Sequence, residues 1–291
     1  MIDVDIVIPT YGNYEQICSL VESFEHQQKV NINKIICPLT LCEDDEINQK
    51  IRDLFQKKNV TFFELTPKEF SHSLTREKAI IEYATSNIVI LLSQDVILID
   101  ELSLFNLVCK IDDEIIYTYG KQVCLNNSIE KYIREKNYPS QDKIISKKDI
   151  EELQFMAFFA SDAFSALNRN KFIELGGYQK FDVMMNEDQL YSKFLLDAGY
   201  KKMYCSNAVV NHSHKYTLKQ LYRRYYETGI FYQKVKLFDE YKMNGSGMAL
   251  ALYILKNALK HFDMPVLLRW FPDMSARYLG MKKGKKRYGS K

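Results

Sequence analysis

The sequence predicts an α/β fold in which a mostly parallel central sheet is flanked by helices and followed by a helical C-terminal extension. Short apolar segments alternate with segments of helical periodicity in the first hundred residues, which is typical of parallel sheets buried on both faces. The chain has 291 residues, 46% hydrophobic and 26% charged, which excludes a disordered protein. Its six cysteines form no CxxC pair, so we expect free thiols rather than a disulfide scaffold or a zinc site.

The first hundred residues contain four predicted strands with helices between them. The strands are nearly continuous apolar runs, and they are predicted at 3–9, 34–37, 60–65 and 87–93. The intervening segments carry apolar side chains at the spacing of one helix face and predict helices at 13–27, 46–57 and 74–84.

Beyond residue 115 the alternation is less regular. Asn186 and Thr217 are each followed three residues later by a glutamine, a pattern typical of a helix N-terminus, so we expect one helix over 187–198 and a long one from 217. The segment 126–148 is polar and predicts an inserted loop or short helices, while 155–167 is apolar and aromatic. Strands are predicted at 115–123 and 202–210, and two further helices at 247–262 and 265–279.

Charge is divided unevenly along the chain. Residues 1–200 carry a formal net charge of −11 and residues 201–291 one of +14, with six basic and no acidic residues in 278–291. A basic end predicts contact with an anionic surface, either lipid headgroups or nucleic acid; the alternative is a solvated tail. No nucleic-acid-binding motif accompanies it, so we expect no nucleic-acid partner.

The sequence predicts a cytoplasmic protein that could bind the inner face of the plasma membrane peripherally. No apolar run reaches the roughly 18 residues that a membrane span needs, and the first residues lack the pattern of a secretory signal. The apolar groups of 247–279, including Trp270, precede the basic residues directly, which favours a lipid surface. A packed subdomain or an oligomer interface is the alternative, so a homo-oligomer stays possible.

In open α/β sheets ligands bind where the strands end, and this rule selects three loops: 9–11, 40–45 and 93–96. Asp95 follows a buried strand and offers a carboxylate of the kind that Mg²⁺ or Mn²⁺ prefers, although many strand-end aspartates only cap turns. His212 and His214 follow a later strand and point the same way in an extended segment. They could supply one or two metal ligands, or be structural.

Two further segments carry candidate chemistry. Glu187 and Asp188 lie in the first turn of a predicted helix, where the helix dipole favours their ionised forms; they are candidates for a general base, or simple helix caps. Arg76 lies close to a helix N-terminus, a poor place for a cation, so we expect a partner such as a phosphate. The alternative is a surface pair with Glu77 or Glu82.

Together these residues resemble the family-2 glycosyltransferases, and most closely the bacterial rhamnosyltransferases of cell-surface polysaccharide synthesis. The resemblance covers about residues 3–235 and rests on six short motifs in the same order. They are Ile-Val-Ile-Pro-Thr-Tyr (6–11), Phe-Ser-His-Ser-Leu-Thr-Arg (70–76), Ser-Gln-Asp-Val (93–96), Gly-Gly-Tyr (176–178), Asn-Glu-Asp (186–188) and His-Ser-His-Lys-Tyr (212–216).

This resemblance implies a GT-A fold, a nucleotide-diphosphate sugar donor, a divalent Mn²⁺ or Mg²⁺ ion and an inverting transfer to a hydroxyl group. It implies that Asp188 is the general base, with Glu187 beside it, and that Asp95 binds the metal with His212 or His214. Acceptor contacts are expected from Asp162 and Arg169, within 161–232. Donor contacts are expected from Pro9, Thr10, Tyr11, His72, Arg76, Gln94 and Asp95.

The resemblance also suggests dTDP-rhamnose as donor and a saccharide acceptor that is lipid-linked. It implies a catalytic domain over 1–214, with a nucleotide-binding half at about 1–110 and an acceptor half at 111–214. A helical extension over 215–280 and a basic tail over 281–291 would follow.

The chain departs from the family pattern at two places. The turn after the second strand, 37–45, lacks the early aspartates that read the base, and only Asp95 remains of the metal-binding carboxylates.

Two rival functions fit the sequence less well. A sugar-phosphate nucleotidyltransferase would need a basic, glycine-rich loop after strand one, whereas no basic residue precedes Lys29. A non-catalytic nucleotide-sugar or surface-binding protein with the same fold would not need the candidate base and metal ligands.

Overall fold

A computed structural model describes residues 1–242 and 246–288. Ten strands form one sheet in this part of the chain. They are β1 (Ile2–Val7), β2 (Thr10–Tyr11), β3 (Val30–Thr40), β4 (Thr61–Leu65), β5 (Ile88–Leu92), β6 (Ile97–Leu98), β7 (Ile115–Val123), β8 (Lys143–Ile145), β9 (Phe164–Asn168) and β10 (Lys201–Asn211).

Helices cover both faces of the sheet and form the C-terminal part of the chain. They are α1 (Tyr14–Ser23), α2 (Asp45–Lys57), α3 (His72–Lys78), α4 (Ser103–Val108), α5 (Glu130–Asn137), α6 (Ile150–Leu153), α7 (Arg169–Glu174), α8 (Glu187–Asp197), α9 (Leu218–Lys234), α10 (Ser246–Lys260) and α11 (Met264–Tyr288). A π-helical turn over Ala79–Tyr83 continues α3. Among the described helices, none combines the length and the apolar character that a membrane span needs.

The strand order is β2-β3-β1-β5-β9-β7-β10-β6, with β4 beside β3 and β8 beside β10. Neighbours β1, β3 and β5 are parallel, as are β7 and β10, whereas β9 is antiparallel to both β5 and β7. The carboxyl ends of β1, β3, β5, β7 and β10 therefore share one edge of the sheet with the beginning of β9. The α/β class with a mostly parallel sheet is confirmed.

Strand β5 (Ile88–Leu92) is apolar throughout because the sheet buries both of its faces. Side chains that alternate along β1 and β5 enter two separate cores: Val7 and Leu91 belong to one, and Ile6 and Ile90 to the other. Successive strand side chains point to opposite faces, so a continuous apolar run is what two covered faces require.

Three local predictions can be compared with the structure. The Thr217 cap is confirmed, because its side chain accepts from the Gln220 backbone and the Gln220 side chain accepts from the Thr217 backbone. The Asn186 cap is wrong, since Asn186 has a left-handed backbone (φ 63°) and makes no capping hydrogen bond. The segment 126–148 was predicted to be an inserted loop or short helices. It contains one short helix, α5, and also a short strand, β8, which was not predicted.

The basic segment after Leu279 continues a helix, which corrects the predicted helix end and the separate tail over 281–291. Helix α11 runs through Tyr288, and 289–291 lie outside the described residues. Gly280 and Gly284 allow this continuation because they face α9: an added Cβ would overlap the carbonyl oxygens of Tyr222 and Tyr226. Gly229 of α9 likewise lies against α11. The glycines permit close helix packing instead of ending the helix.

This packing predicts that Gly284→Ala lowers the free energy of unfolding by about 1–3 kcal/mol, the usual cost of overpacking. Gly247→Ala is the matched control, because its Cβ would meet no atom within 4 Å, so helix propensity alone should stabilise it by up to about 1 kcal/mol. Urea unfolding of both variants measures the difference. Equal effects of the two substitutions would contradict the packing.

Candidate active site

Six segments bring polar side chains to the carboxyl edge of the sheet. Pro9–Tyr11 follows β1, Ser93–Asp95 follows β5 and His212–His214 follows β10. The Ser161–Asp162 pair precedes the antiparallel β9, so it lies at the same edge. His72 and Arg76 of α3, and the Asn186–Asp188 turn before and at the start of α8, complete the set.

Asp95, His212 and His214 form the one group of potential metal ligands found in residues 1–242 and 246–288, and their ligand atoms all lie within 4.8 Å of one another. Asp95 Oδ1 is 3.3 Å from His212 Nε2, and Asp95 Oδ2 is 3.5 Å from His214 Nδ1. The Nε2 atoms of the two histidines are 2.7 Å apart, a distance at which a proton or a cation must separate two lone pairs. This donor set suits a divalent cation.

A second residue fixes the orientation of His212. Its Nδ1–H donates to Gln122 Oε1 at 2.8 Å, which leaves a lone pair on Nε2, facing Asp95, as in many histidine metal ligands. Burial lowers the pKa of His212, and burial together with the His212 charge lowers that of His214 to about 4. Both rings are therefore neutral near pH 7, the form that binds a metal. Burial opposes ionisation of Asp95, but its contacts with His212 and His214 outweigh burial, and its pKa is lowered.

Arg76 is buried and forms an ion pair with Glu187, which is also buried. Its Nη1 also donates to His72 Nδ1 at 3.1 Å, and its Nη2 lies 3.4 Å from the Asp162 carbonyl oxygen. The sequence predicted a phosphate or a surface pair with Glu77 or Glu82; the structure gives an internal acidic partner instead. Glu77 accepts from the Tyr178 backbone.

Asp188 follows Glu187 but forms no ion pair with any cation among residues 1–242 and 246–288. Its Oδ1 accepts from its neighbour's backbone, Gln189 N, at 2.7 Å, and its Oδ2 accepts a long bond (3.4 Å) from Asp162 N. Burial, then the negative charges of Glu187 and Asp162, raise the pKa of Asp188 well above its usual range. A carboxyl group of this kind is a stronger base once ionised than an exposed aspartate.

Asp162 is buried, and its carboxylate is already occupied. It accepts from the hydroxyls of Tyr117 (2.6 Å), Ser165 (2.6 Å) and Tyr178 (3.0 Å). Burial raises its pKa, which the Arg76 charge partly offsets. Three hydrogen bonds use most of the acceptor capacity of this carboxylate, and the side chain is buried, so we expect Asp162 to position the site rather than bind the acceptor directly.

A cavity of about 600 Å³ opens at the ends of β1, β3 and β5. It is lined by all seven side chains that the resemblance assigned to the donor: Pro9, Thr10, Tyr11, His72, Arg76, Gln94 and Asp95. Gln94 holds the first loop, because its Oε1 accepts from Tyr11 N (2.6 Å) and its Nε2 donates to Tyr11 O (3.0 Å). The Tyr11 ring itself is 54% exposed at the cavity.

The turn after β3 contributes Thr40 to this cavity and no carboxylate. Asp44 instead caps α2, accepting from the backbones of Glu46 and Ile47. The buried Asn48 amide holds the turn through the backbone of Cys42. The departure that the sequence shows here is therefore real: Asp44 caps a helix, and the turn places no carboxylate in the cavity.

A second cavity, of about 230 Å³, adjoins the first at His72, Arg76, Ser93, Asp95 and Met184. The metal-ligand triad, Glu187 and Asp188 all line it. The candidate base and the candidate metal ligands thus face one space, next to the donor cavity.

Arg169 does not reach the site, which corrects its predicted acceptor role. Its guanidinium donates to the carbonyl oxygens of Ile80 (2.8 Å) and Ile81 (2.9 Å). Because β9 runs antiparallel to β5, Asn168 pairs with Ile88 at the start of β5, and Arg169 lies at the opposite edge of the sheet.

Sequence reasoning missed three lining residues, Gln122, Arg134 and Arg224. Gln122 comes next to last in β7, so the strand-end rule that selected Asp95 could have found it. Arg224 lies within 161–232, the segment in which acceptor contacts are expected. Arg134 lies in the irregular segment 126–148, where no sequence signal marks it.

The chain is similar to known O-antigen enzymes along most of its length. It is 32% identical over 292 residues to O-antigen chain rhamnosyltransferase RfbN of Salmonella typhimurium (strain LT2), covering 97% of this chain and 89% of the relative. It is 34% identical over 237 residues to O-antigen chain rhamnosyltransferase WbaN of Salmonella anatum, covering 76% and 71%. No protein-family model matches the chain.

Solved structures show the same fold at low sequence identity. The mannosyltransferase PcManGT of Pyrobaculum calidifontis, in complex with GDP-Man and Mn²⁺, has a TM-score of 0.59 at 13% identity and covers 99% of this chain and 86% of that one. GalNAc-T7, with UDP, GalNAc and Mn²⁺, has a TM-score of 0.56 at 12% identity, covering 74% and 44%. These likenesses confirm the predicted GT-A fold.

The triad predicts that the protein binds one Mn²⁺ ion and that Asp95→Asn weakens binding at least about tenfold, because a charged oxygen ligand is lost. Binding should persist down to mildly acidic pH, since protonation competes only towards the lowered pKa of about 4 of His214. Electron paramagnetic resonance, which detects free Mn²⁺, measures the Mn²⁺ affinity of each variant and its dependence on pH.

The control is Asp113→Asn, an exposed aspartate that precedes β7 and so lies at the opposite edge of the sheet from the triad. The triad assignment fails if both variants bind Mn²⁺ as the native protein does.

Proposed function

Because the chain belongs to the O-antigen chain rhamnosyltransferases, a group of glycosyltransferases, we propose that it transfers L-rhamnose from dTDP-rhamnose to a saccharide hydroxyl with inversion. The observation that carries this proposal is the pair of adjoining cavities. The metal-ligand triad and Asp188 face the smaller one, and the predicted donor residues line the larger one.

The proposed reaction needs two groups that this site can supply. The bond from the anomeric carbon to the diphosphate breaks, and negative charge develops on the leaving oxygen; a divalent ion on Asp95, His212 and His214 would stabilise that charge. The mixed nitrogen and oxygen donors favour Mn²⁺ over Mg²⁺. The acceptor hydroxyl loses its proton as it attacks, and Asp188 takes that proton. A single displacement of this kind inverts the anomeric centre.

The preference for dTDP-rhamnose has two supports. The relatives are named rhamnosyltransferases, which favours the sugar. Near the loop after β1, the donor cavity is lined by Thr40, Pro67 and Phe70. Thr40 offers one hydroxyl, and the two apolar side chains suit the methyl group of thymine.

The direct test is a thermal-shift series of nucleotide sugars with Mn²⁺. At a hundredfold excess over Kd, a ligand raises the free energy of unfolding by about 2.7 kcal/mol, so dTDP-rhamnose should raise Tm and UDP-glucose should not. Mass spectrometry should then detect dTDP released on turnover. Stabilisation by UDP-sugars alone would contradict the proposed donor.

Asp188→Asn should lower kcat about 10²- to 10⁴-fold while donor affinity is kept, because the amide keeps the shape but accepts no proton. In the native protein, the rate should rise with pH through the raised pKa of Asp188. Asp182→Asn, an exposed residue on the same loop, is the control. Near-native turnover of Asp188→Asn would exclude Asp188 as the base.

We further propose that residues 1–214 form the catalytic domain and that the helical extension binds an anionic membrane carrying a lipid-linked acceptor. Phe262 (85% exposed), Leu268 (75%) and Phe271 (72%) lie on α11 or just before it, and exposed lysines of α10 and α11 accompany them. Exposed apolar groups with cations suit an anionic bilayer surface. Trp270 is not among them, because its indole donates to the Ala251 carbonyl oxygen inside the helix pair.

Leu268→Ser/Phe271→Ser should abolish most flotation with anionic liposomes, because two apolar side chains that would insert into the bilayer are lost. The control, Ile97→Ser/Ile144→Ser, removes exposed apolar side chains outside the extension and should float normally. Flotation should also weaken as salt increases. Equal flotation of both variants would remove α11 from membrane binding.

A further inference from the structure

A third cavity, of about 180 Å³, lies behind Asp188 on the side of the C-terminal helices. It shares Arg134, Ser161, Asn186, Asp188 and Arg224 with the cavity of the metal-ligand triad. A molecule in it would therefore reach the candidate base from the side away from the donor cavity.

Three arginines from three helices line this third cavity: Arg134 of α5, Arg224 of α9 and Arg277 of α11. Arg277 is 9% exposed and pairs with the buried Glu130, and its Nη1 donates to the Tyr225 hydroxyl at 2.5 Å. Arg134 and Arg224 have no acidic partner within 4 Å in the described part of the chain. Arg134 Nη2 lies 3.4 Å from His212 Nδ1, and Arg224 Nη1 donates to the Tyr216 hydroxyl at 3.3 Å.

Buried donors without partners occur on the same lining residues. Within the described ranges, Arg134 Nε, Arg277 Nε and Asn186 Nδ2 are buried and make no hydrogen bond. A buried donor that stays unpaired is costly, and the cost is repaid when a ligand or water accepts from it. Asn186 supplies such a donor because its left-handed backbone turns its side chain away from capping α8.

We propose that this cavity is a subsite for a phosphate or diphosphate group of the acceptor, which it holds beside Asp188. The inference rests on the proposed function, because it places the acceptor opposite the donor. The base and the oxyanion subsite together would select a hydroxyl on a sugar that carries the phosphate.

The charges favour a phosphate over the alternatives. Guanidinium groups bind phosphate oxygens through paired N–H donors, whereas a neutral sugar would bring no negative charge to Arg134 and Arg224. A single carboxylate would compensate one of them. A diphosphate carries enough charge for both, and it could belong to a lipid-linked saccharide or to a soluble sugar phosphate.

The probe is inorganic pyrophosphate, with binding measured by calorimetry in EDTA so that no metal at the triad can contribute. The native protein should bind it, and Arg224→Gln should weaken binding at least about tenfold. Glu130→Gln/Arg277→Gln should do the same, because the unpaired Arg277 Nε donor is lost. Replacing both residues of the buried pair leaves no uncompensated charge that would unfold the protein. Lys219→Gln removes one exposed cation of α9 and should change affinity less than about twofold.

Absence of pyrophosphate binding by the native protein, or equal affinity in all variants, would overturn the subsite. Nucleotide-sugar binding with Mn²⁺ is measured in parallel on Glu130→Gln/Arg277→Gln, whose residues lie outside both other cavities. That binding should be native in the double variant. Its absence from the native protein would refute the proposed donor site while leaving the result of the pyrophosphate titration standing.

A second titration identifies the source of the phosphate. A long-chain alkyl diphosphate in neutral detergent is compared with pyrophosphate on the same variants. Tighter binding of the alkyl compound supports a lipid-linked acceptor, and equal binding supports a soluble one; in both cases the arginine variants must weaken it.

Discussion

The buried ion pair between Arg76 and Glu187 is the contact on which the site depends. Arg76 comes from α3, in the nucleotide-binding half of the sheet, and Glu187 opens α8 in the other half. Both side chains are less than a tenth exposed, so neither charge is stable there without the other. The pair fixes the beginning of α8 against the sheet edge, and thereby fixes Asp188.

Three carboxyl groups and one guanidinium share this buried space. Arg76 pairs with Glu187, and three hydroxyls satisfy Asp162. Asp188 is left with backbone donors alone, and its pKa is raised by burial and by the other two carboxylates. The neighbouring carboxylates thus differ in their partners: Glu187 is paired with a cation, whereas Asp188 is not.

The sequence predicted the parts of the site that follow from strand ends. Asp95 and Pro9–Tyr11 follow apolar runs, and the spacing of His212 and His214 placed both on one side of an extended segment. These signals come from residues close together in the chain, so they can be recognised from the sequence alone. The Arg76–Glu187 pair joins residues 111 positions apart, and no local pattern selects Glu187 over Glu77 or Glu82.

Backbone direction and close packing account for the other errors. The resemblance placed Arg169 at the acceptor, but β9 runs antiparallel to β5, and this direction puts the end of β9 at the far edge of the sheet. The helix predicted over 265–279 continues past Gly280, because α9 packs closely against that glycine. Asn186 fits a cap pattern, but its left-handed backbone directs its amide elsewhere. The errors at Arg169 and at the helix end depend on elements distant in sequence, and the error at Asn186 depends on its backbone conformation.

The central claim is that the Arg76–Glu187 pair is one interaction joining the two halves of the site, and a double-mutant cycle in the free energy of unfolding tests it most directly. Arg76→Met and Glu187→Met should each destabilise the protein by about 3–5 kcal/mol, because each leaves a buried charge unpaired. The double variant should be less destabilised than either single variant, since no unpaired charge remains. Additive losses in the double variant would contradict the account.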